Sequence, residues 1–192
     1  IPYTGCDSLI SALTFDKQAC KTYLRAFDIP MAASKVLDKN EPWKIADLTQ
    51  LGFPLFVKPN QNGSSYGISK VATKVDLPEA IKKAFDYDNM VMVEAFMPGR
   101  EFACGVVRKG EELVAMPVTE IISENDFFDY DAKYTGKSQE VTPADIPATQ
   151  TEDCQILSKK LYRLLNCKCM VRFDYILVGS KFHLIEANTI PG

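Results

Sequence analysis

The sequence predicts an α+β protein built as two small lobes around a cleft, with largely antiparallel strands. Three observations carry that expectation: short apolar runs that pair through tight Gly/Ser turns, helical-period stretches set among them, and a strand–break–strand unit near the middle of the chain. With 192 residues, 46% hydrophobic and 24% charged, the chain can bury a real core.

The elements follow in order. Thr14 to Phe27, TFDKQACKTYLRAF, places Ala19, Cys20, Tyr23, Leu24 and Phe27 on one helical face, with Ile29-Pro30 closing it. Lys17 then lies in the first turn, where a positive helix end disfavours a cation. It reads either as a surface lysine or as one arm of an anion site. Gly52 to Pro59, GFPLFVKP, and Gly67 to Thr73, GISKVAT, are two strands joined by a Gly/Ser loop. That loop lacks the G-x-x-x-x-G-K-[ST] and G-x-G-x-x-G orders and tops a hairpin, so its N–H groups can fold over phosphates as a flap.

Asp76 to Asp88 reads as a helix opened by a capping box, Asp76 with Glu79. Asn89 to Ala95 is a buried strand ending in Glu94. After the Met97-Pro98-Gly99 break a strand runs from Glu101 to Arg108, and residues 109–118 continue it as a hairpin. The break divides the chain into lobes 1–97 and 98–192. Residues 123–147 read as a long functional loop carrying Phe127, Phe128, Tyr130 and Tyr134, and Thr151 to Leu165 as an amphipathic helix.

The last hairpin, Cys169 to Val178 and Lys181 to Asn188, holds the densest chemistry. A two-residue turn pairs Asp174 with Ile185 and scatters the polar residues over both faces. A three-residue loop, Gly179-Ser180-Lys181, sets Asp174 opposite Glu186 and Arg172 opposite Asn188, all on one face, with His183 on the other. Two carboxylates and an amide oxygen beside an arginine suit Mg²⁺ shared with phosphate oxygens. The alternative is a solvated edge with Asp174 ion-paired to Arg172.

Composition removes other classes. A formal net charge of -3 with scattered basic residues gives no footprint for nucleic acid or an anionic membrane surface. No apolar run approaches the roughly 18 residues of a membrane span. Six cysteines without a C-x-x-C pair read as reduced, mostly core residues of a cytoplasmic protein, and a single histidine, His183, excludes His-rich metal sites and a conventional triad. The chain starts at Ile1 without Met, which suggests an excised segment.

Taken together, PYTGCDSLISALTFDKQACK, VKPNQNGSSYGISKV, VMVEAFMPGREF, FFDYDAKY and RFDYILVGSKFHLIEANTIPG, in that order, resemble the D-alanine–D-alanine ligases of the ATP-grasp superfamily. The resemblance implies an ATP-grasp fold whose two lobes grip ATP, and an ADP-forming ligase of peptidoglycan synthesis. Lys17 and Lys58 would meet the α- and β-phosphates, and Gly63, Ser64 and Ser65 would close over the β- and γ-phosphates. Glu94, Ala95 and Met97 would edge the adenine, largely through backbone atoms, and Glu101 the ribose. Lys133 would neutralise the transferring phosphoryl group, while Tyr134 would close the long loop over Ser64. Asp174, Glu186 and Asn188 would hold two Mg²⁺ ions, or Mn²⁺, and Arg172 with the Gly192 N–H would stabilise an oxyanion.

The resemblance further implies D-alanine substrates and a homodimeric full-length enzyme. Departures accompany it: Ala95 stands where many members have lysine and Asn62 where many have glutamate. The family's N-terminal substrate domain and its segment beyond N-T-x-P-G are missing, so the fragment alone is expected to be inactive. A D-Ala-D-Ser or D-Ala-D-Lac ligase, or a nucleotide-binding module without chemistry, are the other readings.

Overall fold

The computed structural model describes residues 3–63, 66–123 and 138–191. Two antiparallel sheets organise them. The smaller has strand order β1-β4-β2-β3, from β1 (Ser34–Asp38), β2 (Leu55–Pro59), β3 (Ser69–Val71) and β4 (Met90–Ala95). The larger runs β10-β9-β5-β7-β8, with β6 beside β5. Its strands are β5 (Arg100–Lys109), β6 (Glu112–Ala115), β7 (Thr119–Ser123), β8 (Ser138–Val141), β9 (Met170–Val178) and β10 (Lys181–Asn188). β4 and β5 belong to different sheets and are joined through Met97-Pro98-Gly99.

Each sheet covers one face with helices and leaves the other for the cleft. In the smaller sheet Leu55, Val57, Val91 and Val93 are fully buried against α3 (Ile45–Thr49) and α4 (Leu77–Phe85). Alternation then sends Phe56, Lys58, Met92 and Glu94 to the opposite face. On the larger sheet Phe102, Cys104, Phe173 and Tyr175 pack with α5 (Ala148–Leu164), whose Cys154, Leu161 and Tyr162 are buried. The same core takes in Cys6, Ile10, Cys20, Leu24 and Ile29, so α1 (Ser8–Phe15) and α2 (Lys17–Arg25) pack with the larger sheet although they precede β1.

Several expectations change. The single helix over Thr14–Phe27 is two helices broken at Asp16, which ends α1 and caps α2 by accepting from Ala19 N at 2.8 Å. Lys17 is therefore the first residue of α2. The capping box at Asp76 does not form: Asp76 has helical backbone angles and makes no side-chain cap, its carboxylate accepting instead from Thr73 Oγ1 at 2.7 Å.

The hairpin register is the instructive correction. Its turn has two residues, Lys181 lying opposite Val178, with Gly179 at φ +61, a conformation glycine adopts without steric cost. Asp174 nonetheless faces Glu186, and Arg172 faces Asn188, because a bulge between Leu184 and Glu186 inserts Ile185. The three-residue loop would have turned His183 into the core and Phe182 and Leu184 out of it. The actual register buries Phe182 and Leu184 at about 4% exposure and places His183 opposite Ile176, on the face shared with Asp174.

All six cysteines are free, and all but Cys169 are buried. No described helix is long and apolar enough to cross a membrane.

Candidate active site

The bare faces of the two sheets enclose a cavity of about 360 Å³, within the size range of small-ligand sites. The smaller sheet contributes Phe56, Lys58, Glu94 and Ala95, and the connection adds Phe96 and Met97. The larger sheet contributes Glu101, Ile176 and Ile185. Phe56 and Phe96 stand with ring centroids 6.0 Å apart, so the wall is aromatic and aliphatic with carboxylates at its edge. Ala95, Met97 and Glu101 are among the residues that line this largely apolar cavity.

Cationic groups gather at one end. Glu94 is buried, and each of its oxygens has a lysine: Lys21 Nζ lies 2.5 Å from Oε1 and Lys58 Nζ pairs with Oε2. Burial pushes the Glu94 carboxyl up, but Lys58 and Lys21 outweigh it and bring the pKa down to about 2. Lys17, on the first turn of α2, donates from Nζ to the carbonyls of Asn60 (3.3 Å) and Asn62 (2.7 Å). Burial, then repulsion from Lys58, lowers its pKa to about 8.

The N–H groups that a helix start would offer an anion are engaged: Lys17 N donates to Asn60 O at 3.3 Å and Gln18 N to Asn60 Oδ1 at 2.8 Å. An anion would therefore meet the Lys17 side chain and not the helix end. With Lys21 and Lys58 on Glu94 and Lys17 near Lys58, this end of the cleft holds three lysines, which suits a polyphosphate.

A second cavity of about 420 Å³ lies between Lys17, Asn62 and Gly63 on one side and Glu186, Asn188 and Thr189 on the other. Across it stands the polar face of the β9–β10 hairpin. Arg172 grips Asp174 with two bonds, Nε to Oδ1 at 2.8 Å and Nη2 to Oδ2 at 3.0 Å, and Asn188 Nδ2 donates to Asp174 Oδ2 at 2.8 Å. The bond to Asp174 holds the Arg172 guanidinium above its usual range.

The ion pair of the alternative reading is present, but the solvated edge is not. β9 is flanked by β10 and β5, and Asp174 is 5% exposed. Among the described residues no group of three His, Cys, Asp or Glu side chains is arranged for a metal. The set here is two carboxylates and an amide. Glu186, half-buried, forms no side-chain hydrogen bond or ion pair among the described residues. Hard oxygen donors facing one another beside a lysine-rich end fit a divalent cation bound jointly with phosphate.

Residues 23–192 match the family model described as D-ala D-ala ligase C-terminus. The chain belongs to this family. It is 45% identical, over its whole length, to 60% of a D-alanine--D-alanine ligase from Phocaeicola vulgatus. The chain therefore spans about 60% of the length of the curated relatives it matches. Among solved structures, the VanG D-Ala:D-Ser ligase from Enterococcus faecalis superposes with a TM-score of 0.88 at 36% identity, covering all of this chain and 57% of that one. A D-alanine--D-alanine ligase from Bacillus anthracis complexed with ATP superposes at 0.84 with 29% identity, covering all of this chain and 60% of that one. The fold is the ATP-grasp fold of these ligases.

Five residues that the sequence reading expects at the site, Ser64, Ser65, Lys133, Tyr134 and Gly192, lie outside the described residues, as does most of the 123–147 segment. Sequence reading missed Lys21, four residues after Lys17 and between the buried Cys20 and Leu24. A lysine on the apolar stripe of a helix was the available signal. It also missed Phe56, Ile176 and Ile185 as cavity walls. Ile176 could have been found as the same-face neighbour of Asp174, two residues away.

Proposed function

We propose that the chain is the ATP-binding and catalytic portion of a cytoplasmic, ADP-forming D-alanine–D-alanine ligase of peptidoglycan synthesis. The observation that supports this most is that Lys58 and Glu94 line one cavity with Ile185, while Lys17 lines a second with Glu186 and Asn188, whose hairpin sets them opposite Asp174 and Arg172. A nucleotide with its adenine in the apolar slot would carry its phosphates from one set to the other.

In this reading the backbone of Glu94, Ala95 and Met97 edges the adenine, and Glu101 takes the ribose hydroxyls. Lys17 and Lys58 hold the α- and β-phosphates, with Gly63, Ser64 and Ser65 closing over the outer ones. Asp174, Glu186 and Asn188 hold two Mg²⁺ ions, for which Mn²⁺ can substitute, and the cations supply charge neutralisation at the phosphates. Lys133 neutralises the transferring phosphoryl group under the loop that Tyr134 helps to close. One D-alanine carboxylate attacks the γ-phosphate, giving an acyl phosphate and ADP. The amine of the second D-alanine then displaces phosphate, while Arg172 and the Gly192 N–H stabilise the oxyanion.

Chemistry is favoured over a passive nucleotide module because Arg172, Asp174, Glu186 and Asn188 share one face, and adenine binding needs none of them. The similarity to a D-Ala:D-Ser ligase keeps D-serine as a second acceptor, with D-lactate beside it. The homodimeric full-length enzyme rests on the family resemblance.

The test is made on the longer protein that contains this chain together with the parts its relatives have. ADP release with D-alanine, and product analysis with D-alanine, D-serine and D-lactate in competition, should give D-Ala-D-Ala as the main product. A D-Ala-D-Ser product would replace the acceptor, and failure to release ADP with any of the three would refute the ligase reading.

A further inference from the structure

Lys21 is 6% exposed and does not line the cavity, yet it is tied to residues that do. Its Nζ donates to Glu94 Oε1 at 2.5 Å and to Ala32 O at 2.8 Å, while Lys58 holds the other Glu94 oxygen. Glu94, Lys58 and Ala32 all border the cavity. One carboxylate is thus shared by a lysine facing the ligand space and a lysine behind it, anchored on a backbone carbonyl.

The sharing has a consequence for any phosphate that enters. If Glu94 had Lys58 as its only partner, moving Lys58 to a phosphate would strand a buried carboxylate beside an incoming anion, which is strongly unfavourable. With Lys21 already on the second oxygen, Glu94 stays compensated when Lys58 turns away. We propose that Lys21 is a positioning residue that keeps Glu94 neutralised from behind, so that Lys58 can transfer from Glu94 to the phosphates of the bound nucleotide. The inference rests on the nucleotide reading of the cavity and adds to it a residue that never touches the ligand.

A lysine that only tied α2 to β4 would affect adenosine and ADP alike. Calorimetric titration of the 192-residue chain with each ligand separates the two roles, using K21R, K21Q and the double variant K21Q/E94Q, with far-UV circular dichroism to establish folding. K21R is expected to bind ADP within about threefold of the parent, and K21Q about tenfold or more weaker, because only the charge is lost. Adenosine affinity should be unchanged in K21Q, and K21Q/E94Q should recover ADP affinity to within about threefold, because the carboxylate that traps Lys58 is gone.

The proposal is overturned if K21Q binds ADP like the parent, if it loses adenosine and ADP equally, or if E94Q does not rescue it. If K21Q fails to fold, the double variant decides: parent-like ADP binding supports the role and weak binding sinks it. Parent chain that binds no ADP would overturn the nucleotide reading together with this one, whereas parent binding matched by K21Q overturns only the role of Lys21.

Discussion

Glu94→Gln tests the buried charge cluster directly. The carboxylate side chain is 11% exposed and sits between Lys21 and Lys58, at 8% and 9%. Making it neutral leaves two buried ammoniums facing each other without an anion, the situation in which breaking a buried pair costs about 3–5 kcal/mol. For a chain of this size that corresponds to a melting temperature lower by about 6–20 °C.

The pH dependence gives a second reading of the same cost. Glu94 titrates near 2 in the folded protein against 4.5 for the free group. Its contribution is therefore fully present above 4.5 and is lost as pH falls towards 2, at about 1.4 kcal/mol per pH unit. Urea melts of parent and E94Q should differ by a constant amount from pH 7 to 5, and the gap should narrow below 4.5. The triple variant K21M/E94L/K58M, which removes every charge while keeping volume, should recover much of the loss. An E94Q protein within about 1 kcal/mol of the parent at pH 7, or a gap unchanged between pH 5 and 3, would mean that Glu94 does not neutralise the two lysines.

Other consequences follow from single residues. Lys17 loses its proton through about pH 8 when folded and 10.5 when free. The destabilising charge is thus relieved as pH rises between those values, whereas ADP affinity, if Lys17 holds the phosphates as proposed, should fall by up to about tenfold per unit above pH 8, a slope absent in K17M. Isothermal titration from pH 7 to 9.5 reads it. A Cβ on Gly99 would lie 2.1 Å from the Leu177 carbonyl oxygen and 2.8 Å from Ile176 Cγ2, so G99A should cost roughly 3 kcal/mol in a urea melt. Glu186→Gln should leave stability within about 0.5 kcal/mol, because the half-buried carboxylate has no side-chain partner among the described residues. The same variant should remove the Mg²⁺-dependent part of ADP affinity, as measured by thermal shift with and without the cation.

The strands that build the cleft were legible because their apolar alternation is strong: Leu55/Val57 and Val91/Val93 against Phe56/Lys58 and Met92/Glu94. β1, SKVLD, escaped because only Leu37 is buried and an edge strand of mixed polarity carries no period. α3, five residues long, is too short to show one. The break at Asp16 was hidden by good helix formers on both sides. The meeting of Asp174 with Glu186 was anticipated by way of the wrong device. Phe182, Leu184 and Ala187 are buried at a spacing of two and then three, which is how a bulge is written in a strand, whereas a longer turn would have kept a strict alternation. Lys21 was passed over because helical periodicity ranks residues by apolarity, and a buried lysine is recognised only once its partner, 73 residues away, is known.

On the proposed reading adenine occupies the slot between the two sheets while its phosphates reach the hairpin face. Methyl-labelled NMR spectra of the chain, with Met97, Ile176 and Ile185 assigned, recorded during titration with ATP and Mg²⁺, test it most directly. Saturable shifts are expected at all three methyl sites, with little change at Val91 and Val93, which face away into the core of the smaller sheet. Shifts confined to other surfaces, or none at saturating ATP, would contradict it.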